Sequence, residues 1–172
     1  MTLPLARSTT YGANSQILSA DLDLVQDCIV AGRHGQLVRK IPVADGTYSA
    51  SNGYGSSVWQ AAANGNIFTF PLVLYAGERI IAVKVKVSCG ATDVISVSVF
   101  RNKPLLQATD LLAGPVASVG HAGATEDVLA TLGAIELVSS GNDYNYCAVC
   151  TVTAFAVAPK IYGAELTYDA GP

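Results

Sequence analysis

Charged side chains are scarce in this chain of 172 residues: 10 Lys or Arg and 13 Asp or Glu make up 13% of the sequence. An ordinary soluble domain carries about 25%. The net charge is −3, and neither sign forms a run. The sequence therefore lacks both the basic footprint of a nucleic-acid-binding protein and a polybasic membrane patch, and we expect no nucleic-acid partner.

Long apolar runs are also missing, although 51% of the residues are hydrophobic. The longest apolar stretch, residues 67–76, is interrupted by Thr69 and Pro71 and is far shorter than the ~20 residues that span a bilayer. Residues 1–13 lack the apolar segment of a secretory signal peptide. We expect no membrane insertion, synthesis in the cytoplasm without a signal peptide, and one large hydrophobic core rather than disorder.

Residues 1–35 differ in pattern from residues 36–172, and we divide the chain there. An irregular arm precedes a predicted short helix over residues 20–31, whose apolar side chains recur at spacings of three and four residues. An arm and a short helix cannot form a core alone, so their apolar residues are expected to anchor the chain to the following domain or to a neighbour. The candidate anchoring residues are Leu3, Leu5, Tyr11, Leu18, Leu22, Val25 and Ile29.

From residue 36 onward the apolar period is two, which is typical of β-strands with one buried face. Valines at 83, 85 and 87 alternate with Lys84 and Lys86, and a second alternating segment starts at Val94, so the short turn between them predicts a hairpin. Further strands are predicted at 37–43, 58–60, 67–74, 128–138, 144–155 and 160–168, with long loops at 44–57 and 113–127. The predicted fold is all-β: an antiparallel β-sandwich of jelly-roll type, with an N-terminal arm and one short helix.

The cysteines do not predict a metal or redox site. Cys147 and Cys150 form a CxxC, but the surrounding residues alternate as a strand, and residues three apart on a strand point to opposite faces. Cys28 and Cys89 are isolated in the sequence. Buried structural thiols are therefore the preferred interpretation, and we predict no metal and no cofactor.

The histidines and carboxylates do not define a catalytic set. His34 and His121 are the only histidines, and neither lies in a nucleophile motif. The acidic residues fall mostly at predicted strand ends and turns, where solvated charge is the ordinary explanation. We name no catalytic residue and expect a non-enzyme; a thiol-dependent enzyme using Cys147 or Cys150, or a hydrolase using His121, is the third interpretation.

The aromatic residues divide into two groups. Trp59, Phe68, Phe70, Phe100 and Phe155 lie at apolar strand positions or strand ends and are predicted to anchor the core. Tyr48 and Tyr54 lie in a loop rich in Gly and Ser, where a tyrosine offers a flat apolar face with a polar tip. Tyr48, Tyr54 and His121 are the candidate contacts for a glycan or a partner protein.

Three stretches resemble structural proteins of tailed-bacteriophage virions. The opening, TTYGANSQILSADLDLVQDCIVAGRHG, is similar to an arm followed by a helix that precedes a β domain. The middle, FPLVLYAGERIIAVKVKVSCGATDVISVSVFR, and the close, PKIYGAELTYD, resemble strands of such domains. The resemblance implies a non-enzymatic virion protein, made in the host cytoplasm, that assembles as a symmetric oligomer, usually a trimer. Its partners would be the major capsid protein or tail and collar proteins, in a role as capsid decoration, collar, baseplate or fibre component.

The alternative is a carbohydrate-binding β-sandwich module that attaches to host-surface glycans through the Tyr-rich loop. Both interpretations agree with the scarcity of charge. Outward strand positions are often Ala, Ser, Thr or Gly rather than Lys or Glu, so we expect the outer faces to meet other molecules.

Overall fold

Residues with a period of two form eleven β-strands in the part of the chain that the structure describes. The computed structural model describes residues 36–51, 53–55, 57–103, 106–138 and 144–169, with the backbone alone at 54 and 134–137. The strands are β1 (Gln36–Pro42), β2 (Thr47–Tyr48), β3 (Gly53–Gly55), β4 (Val58–Gln60), β5 (Ile67–Leu72), β6 (Arg79–Ser88), β7 (Val94–Lys103), β8 (Ala108–Ala117), β9 (Thr125–Leu137), β10 (Asn145–Ala154) and β11 (Lys160–Asp169), with a 3-10 turn at Val43–Asp45. The predicted arm, the predicted helix and all seven anchoring residues lie outside the described residues and stay predictions.

The strands form two antiparallel sheets. One sheet has six strands in the order β3-β4-β11-β6-β9, with β1 also paired to β11. The other has five strands in the order β2-β5-β10-β7-β8. Within them, β1-β11-β6-β9 and β5-β10-β7-β8 are the two four-stranded sheets of a jelly roll. The predicted fold class is therefore confirmed for the described residues.

The core lies between the two sheets and follows from the alternation. Buried residues from β6 in one sheet and from β5, β7 and β10 in the other belong to one hydrophobic cluster. Trp59, Phe68 and Phe70 are fully buried, with ring centroids 5.4 Å apart for the first pair and 4.8 Å apart for the second. Phe155 is partly buried against this cluster. The prediction for Phe100 is wrong: it is only half-buried, because it shares the outward-facing positions of β7.

The predicted hairpin between β6 and β7 is also wrong. The two strands belong to different sheets, and the turn between them crosses from one layer of the sandwich to the other. Asp93 supports this corner: it is 1% exposed and accepts hydrogen bonds from the backbone N–H groups of Gly90, Ala156 and Val157. Both strands have one apolar face, and two such faces bury more surface by packing against each other than by lying side by side.

The two predicted long loops are shorter than expected. The first contains the 3-10 turn, β2 and β3, and the second is largely replaced by β8 and β9, which leave only residues 118–124 between them. Gly114 and Pro115 indicated a loop in the sequence. In the structure they lie within β8, where its register against β7 shifts between Val97 and Val99, so an irregular strand continues past them.

None of the helical structure in the described part of the chain is long and apolar enough to cross a membrane.

Candidate functional site

Tyr48 is the best described of the three predicted contact residues. It is 45% exposed, and its ring lies parallel to that of buried Phe68, with centroids 6.5 Å apart and planes 9° apart. Stacking on a fixed core ring restricts the orientation of the tyrosine. Tyr54 lies on β3 opposite Trp59, and its side chain falls outside the described residues. The contact of either tyrosine with a glycan stays a prediction.

His121 lies far from Tyr48. The loop that carries His121 follows β8, whereas Tyr48 lies on β2, and these two strands are opposite edges of the five-stranded sheet. Four strand spacings correspond to about 19 Å. The imidazole Nε2 of His121 is 3.6 Å from Glu126, which also accepts hydrogen bonds from the N–H groups of Val119 and Gly120. Glu126 therefore holds the loop together, and His121 and Tyr48 do not form one site.

The prediction of buried thiols is confirmed for Cys89 and Cys150 and is wrong for Cys147, which is half-buried. Cys150 points into the core and Cys147 points outward, so the CxxC residues lie on opposite faces of β10 as predicted. Burial raises the pKa of Cys89, Cys147 and Cys150, which keeps all three thiols protonated near neutral pH. Among the described residues, no three His, Cys, Asp or Glu side chains are placed to hold a metal ion.

Two carboxylates differ from the solvated groups that the sequence predicted. Asp93 is buried at the corner between the sheets. Glu78 is 8% exposed and accepts hydrogen bonds from Arg39 Nη2 at 3.0 Å and from the N–H of Tyr75 at 2.8 Å. The oxygens of both carboxylates accept hydrogen bonds from backbone N–H groups, and those of Glu78 also from a guanidinium group. Both carboxylates therefore stabilise the fold.

The outer face of the five-stranded sheet is uncharged on its three central strands. The outward residues of β5, β7 and β10 are Ile67, Thr69, Pro71, Val94, Ser96, Ser98, Phe100, Asn102, Asn145, Cys147, Val149, Thr151 and Thr153. The scarcity of Lys and Glu at outward positions that the sequence indicated is therefore found on these three strands.

A groove with a volume of about 490 Å³ crosses one end of that face. Two cross-strand pairs contribute to its lining: Thr47 lies opposite Thr69, and Asn145 lies opposite Asn102. We call it the Thr–Asn groove, defined by these four residues together with Asp45, Pro71, Leu72, Val73, Leu74, Tyr144, Tyr146 and Cys147. Asp45 is its one charged lining residue among those described.

The Thr–Asn groove is held in shape by its neighbours. Asn102 Nδ2 donates to Cys147 Sγ at 3.6 Å, and its Oδ1 accepts from the hydroxyl of Thr109 at 3.2 Å. The guanidinium carbon Cζ of Arg101 lies 5.3 Å from the centroid of the Tyr144 ring, and Nζ of Lys103 lies 5.8 Å from it. The amide and the ring are therefore oriented before any ligand arrives.

Asp110 anchors the two cations beside this ring. It contacts Arg101 Nη2 and Lys103 Nζ, each at 2.5 Å. The hydrogen bonds from Lys103 and from Arg101 lower the pKa of Asp110, which favours its charged form. This arrangement fixes the end of the groove at Tyr144.

The outer face of the six-stranded sheet contradicts the expectation of little charge. Lys40 on β1, Lys84 on β6 and Glu165 on β11 form one row across three strands. Lys84 Nζ lies 2.6 Å from Glu165 and 3.6 Å from Asp127. The hydrogen bond to Glu165 raises the pKa of Lys84 and lowers the pKa of Glu165. The sequence showed these lysines to be outward, but only the register shows that they converge.

The residues of the Thr–Asn groove were not found from the sequence. Thr69, Asn102 and Asn145 lie at the polar positions of alternating strands, and this alternation predicts only that they face solvent. Their convergence depends on the order of strands in the sheet, which brings β10 between β5 and β7. No local motif encodes that order.

Solved structures with a similar fold include carbohydrate-binding modules. The xylan-binding module CBM15 superposes with a TM-score of 0.50 at 8% identity, over 80% of this chain and 100% of that module. The C-terminal CBM6 of LamC, from Zobellia galactanivorans, has a TM-score of 0.45 at 14% identity, over 76% of this chain and 99% of that one. A family 35 carbohydrate-binding module from Clostridium thermocellum has a TM-score of 0.44 at 10% identity, over 76% of this chain and 97% of that module.

The likeness to the xylan-binding module shows a shared β-sandwich fold and, at 8% identity, assigns no ligand to this chain. No protein-family model matches the sequence, and no curated protein matches it.

Proposed function

We propose that residues 36–169 form a non-catalytic glycan-binding module and that the Thr–Asn groove binds a neutral stretch of sugar. The observation that carries this proposal is the uncharged outer face of β5, β10 and β7, with a groove across its end. Sugar hydroxyls both donate and accept hydrogen bonds. The hydroxyls of Thr47 and Thr69 and the amides of Asn102 and Asn145 offer both functions without a charge.

Size and preorganisation support the same proposal. A volume of about 490 Å³ lies within the range of about 300–1,000 Å³ that is typical of ligand pockets. Tyr144 adds an aromatic side chain to the lining, and its position is fixed by Arg101 and Lys103. A fixed ring beside neutral hydrogen-bonding groups suits a ligand with apolar faces and polar edges, as a pyranose has.

The experiment is a calorimetric titration of the purified chain with neutral oligosaccharides. Xylohexaose is the first probe, because the solved module that shares the fold is named as xylan-binding; cellohexaose and laminarihexaose follow. We expect Thr69→Ala and Asn145→Ala each to weaken binding about threefold to tenfold, the range for loss of one hydrogen bond.

Thr151→Ala is the matched control. Thr151 lies on the same outward face of β10, four residues and about 13 Å beyond Cys147, and outside the groove lining. Its variant should bind like the unchanged chain. The proposal is wrong if no neutral oligosaccharide binds saturably, or if Thr69→Ala and Thr151→Ala have the same affinity.

The Tyr-rich loop is a second place where a glycan could contact the module. Replacing Tyr48 and Tyr54 by Ala and comparing the variant with the unchanged chain on a glycan array tests it. Loss of signal in this variant, with binding retained in Thr69→Ala, would place the glycan at the loop instead of the groove.

We also propose, on the resemblance to phage virion proteins, that the chain assembles as a symmetric oligomer on a virion. One structural feature supports this second function: β1 pairs with β11 alone among the described strands, and its Leu37 and Val38 are 42% and 56% exposed. An edge strand with exposed apolar residues favours pairing with another chain. Native mass spectrometry of the full chain should give a trimer, and a monomer at every concentration would contradict the proposal.

A further inference from the structure

The charged face of the six-stranded sheet contains a gap with an aromatic side chain beside it. The register of β11 against β6 skips one residue between Ile161 and Gly163, so Tyr162 is the extra residue of a β-bulge. Gly163 has φ +149 and no side chain, and Tyr162 is 37% exposed. Bulges commonly redirect a side chain next to a binding site. Here the bulge brings a tyrosine ring to the border of a position without a side chain, next to the row formed by Lys40, Glu165 and Lys84.

The gap is the centre of a groove with a volume of about 340 Å³. We call it the lysine groove, defined by Lys40, Ile41, Pro42, Lys84, Lys86, Asp127, Tyr162, Gly163, Ala164 and Glu165. Three lysines against two carboxylates leave its lining with a net charge of +1.

The charges of the lysine groove are unevenly paired. Lys84 contacts both carboxylates of the groove, Asp127 and Glu165. Lys40 and Lys86 have no ion-pair partner among the described residues, and both are exposed. Lys86 on β6 and Pro42 on β1 lie on either side of Gly163, and Lys40 lies opposite Glu165, two residues further along β11. Each of the two lysines lies opposite a carboxylate in the register, Lys40 opposite Glu165 and Lys86 opposite Asp127, but both carboxylates form their ion pairs with Lys84.

We propose that the lysine groove binds a hexuronate residue of an acidic polysaccharide. The sugar carboxylate pairs with the exposed Lys40 and Lys86 and neutralises the excess positive charge of the lining, and the ring packs against Tyr162 in the gap over Gly163. Asp127 and Glu165 accept hydrogen bonds from sugar hydroxyls. A bare inorganic anion would use the lysines but leave the tyrosine and most of the groove unfilled.

This site is separate from the Thr–Asn groove, because the two grooves lie on the outer faces of different sheets. The proposal rests on the proposed glycan-binding function, but it concerns a different face of the sandwich, a ligand of different charge and different residues. Loss of binding at the lysine groove can therefore be distinguished from loss of binding at the Thr–Asn groove.

The experiment is a calorimetric titration of the full chain, at low ionic strength, with trigalacturonate and with its methyl ester, which has the same skeleton without the charges. We expect binding of the acid and at least tenfold weaker binding of the ester. Lys40→Gln and Lys86→Gln should each weaken binding of the acid about threefold, as for exposed ion pairs, and the double variant about tenfold. Tyr162→Ala should weaken it too, and Tyr162→Phe should not.

Lys160→Gln is the matched control, since Lys160 is an exposed lysine on the same strand that does not line the groove. Its affinity should match that of the unchanged chain, and Thr69→Ala should also bind the acid normally. Three results would overturn the proposal: equal affinity for acid and ester, an equal loss in Lys160→Gln and Lys86→Gln, or displacement of trigalacturonate by an equal concentration of inorganic sulfate. The last result would indicate an anion site without sugar recognition.

Discussion

Replacing Asp93 by Ala should cause a large loss of stability, because this carboxylate joins the two sheets at a corner. Its oxygens accept hydrogen bonds from Gly90 at 3.0 Å, from Val157 at 3.0 Å and from Ala156. Gly90 lies in the turn between β6 and β7, and the other two donors lie between β10 and β11. Asp93→Ala removes all three contacts at once.

The size of the loss follows from the bonds and from the exposure of the donors. Hydrogen bonds to a charged group contribute about 1.5–3 kcal/mol each. Ala156 and Val157 are exposed, so water can solvate their N–H groups in the variant and reduce the loss. We expect a decrease of about 2–4 kcal/mol in the free energy of unfolding, which for a chain of this size lowers Tm by about 5–15 °C.

Thermal and urea unfolding measure this effect, with Asp45→Ala as the control. Asp45 is exposed in the 3-10 turn, so its variant loses the same charge and should change stability by less than about 0.5 kcal/mol. Asp93→Asn keeps one acceptor oxygen and should lie between the two. If the Tm values of Asp93→Ala and Asp45→Ala agree within about 2 °C, the corner does not depend on this carboxylate.

Three further predictions concern packing, thiol reactivity and pH. Gly114→Ala should lower stability by about 1–3 kcal/mol more than Gly123→Ala in urea unfolding. Both glycines have positive φ, +90 and +92, so the backbone strain is similar. A Cβ at Gly114 would lie 2.4 Å from a backbone oxygen of β7, whereas a Cβ at Gly123 would meet nothing within 4 Å. Iodoacetamide should modify Cys147 in the folded protein and Cys150 only after unfolding, as mass spectrometry of peptides would show; equal rates would contradict the burial of Cys150. The neighbouring lysine and arginine lower the pKa of Asp110, so NMR spectra should show its carboxyl titrating at a lower pH than that of an ordinary Asp. Its ion pairs should stabilise the fold fully above about pH 4, and this stabilisation should be lost as pH falls through the pKa of the folded state. A midpoint at or above the ordinary value would refute this.

The alternation of residues predicted most of the strands but not how they pair. The valines of β6 are buried and its Lys84 and Lys86 point outward, as the period of two requires. The same period misled the assignment of a hairpin, because alternation reports which face is apolar and is silent about whether that face meets a neighbour in its own sheet or in the opposite one. The crossover at Asp93 was therefore invisible, and a buried carboxylate was mistaken for a solvated one.

The candidate grooves were harder to predict than the fold. Tyr162 and Gly163 are unremarkable in the sequence, and only the one-residue slip between β11 and β6 makes them the border and centre of a groove. Thr69 and Asn145 come together only because β10 lies beside β5. Long-range strand order sets both sites, and it depends on the whole core rather than on any local pattern.

The chain contains a single tryptophan, Trp59, which is fully buried and donates its indole N–H to the carbonyl of Ala50 at 3.1 Å. It packs on Phe68, whose ring in turn supports Tyr48. Its fluorescence therefore reports on one defined place, where β4 of one sheet packs against Phe68 of the other. An emission maximum at short wavelength, insensitive to acrylamide, would indicate that this packing is intact. A red shift would indicate that water has reached Trp59 because the two sheets have separated there, and no added label is needed.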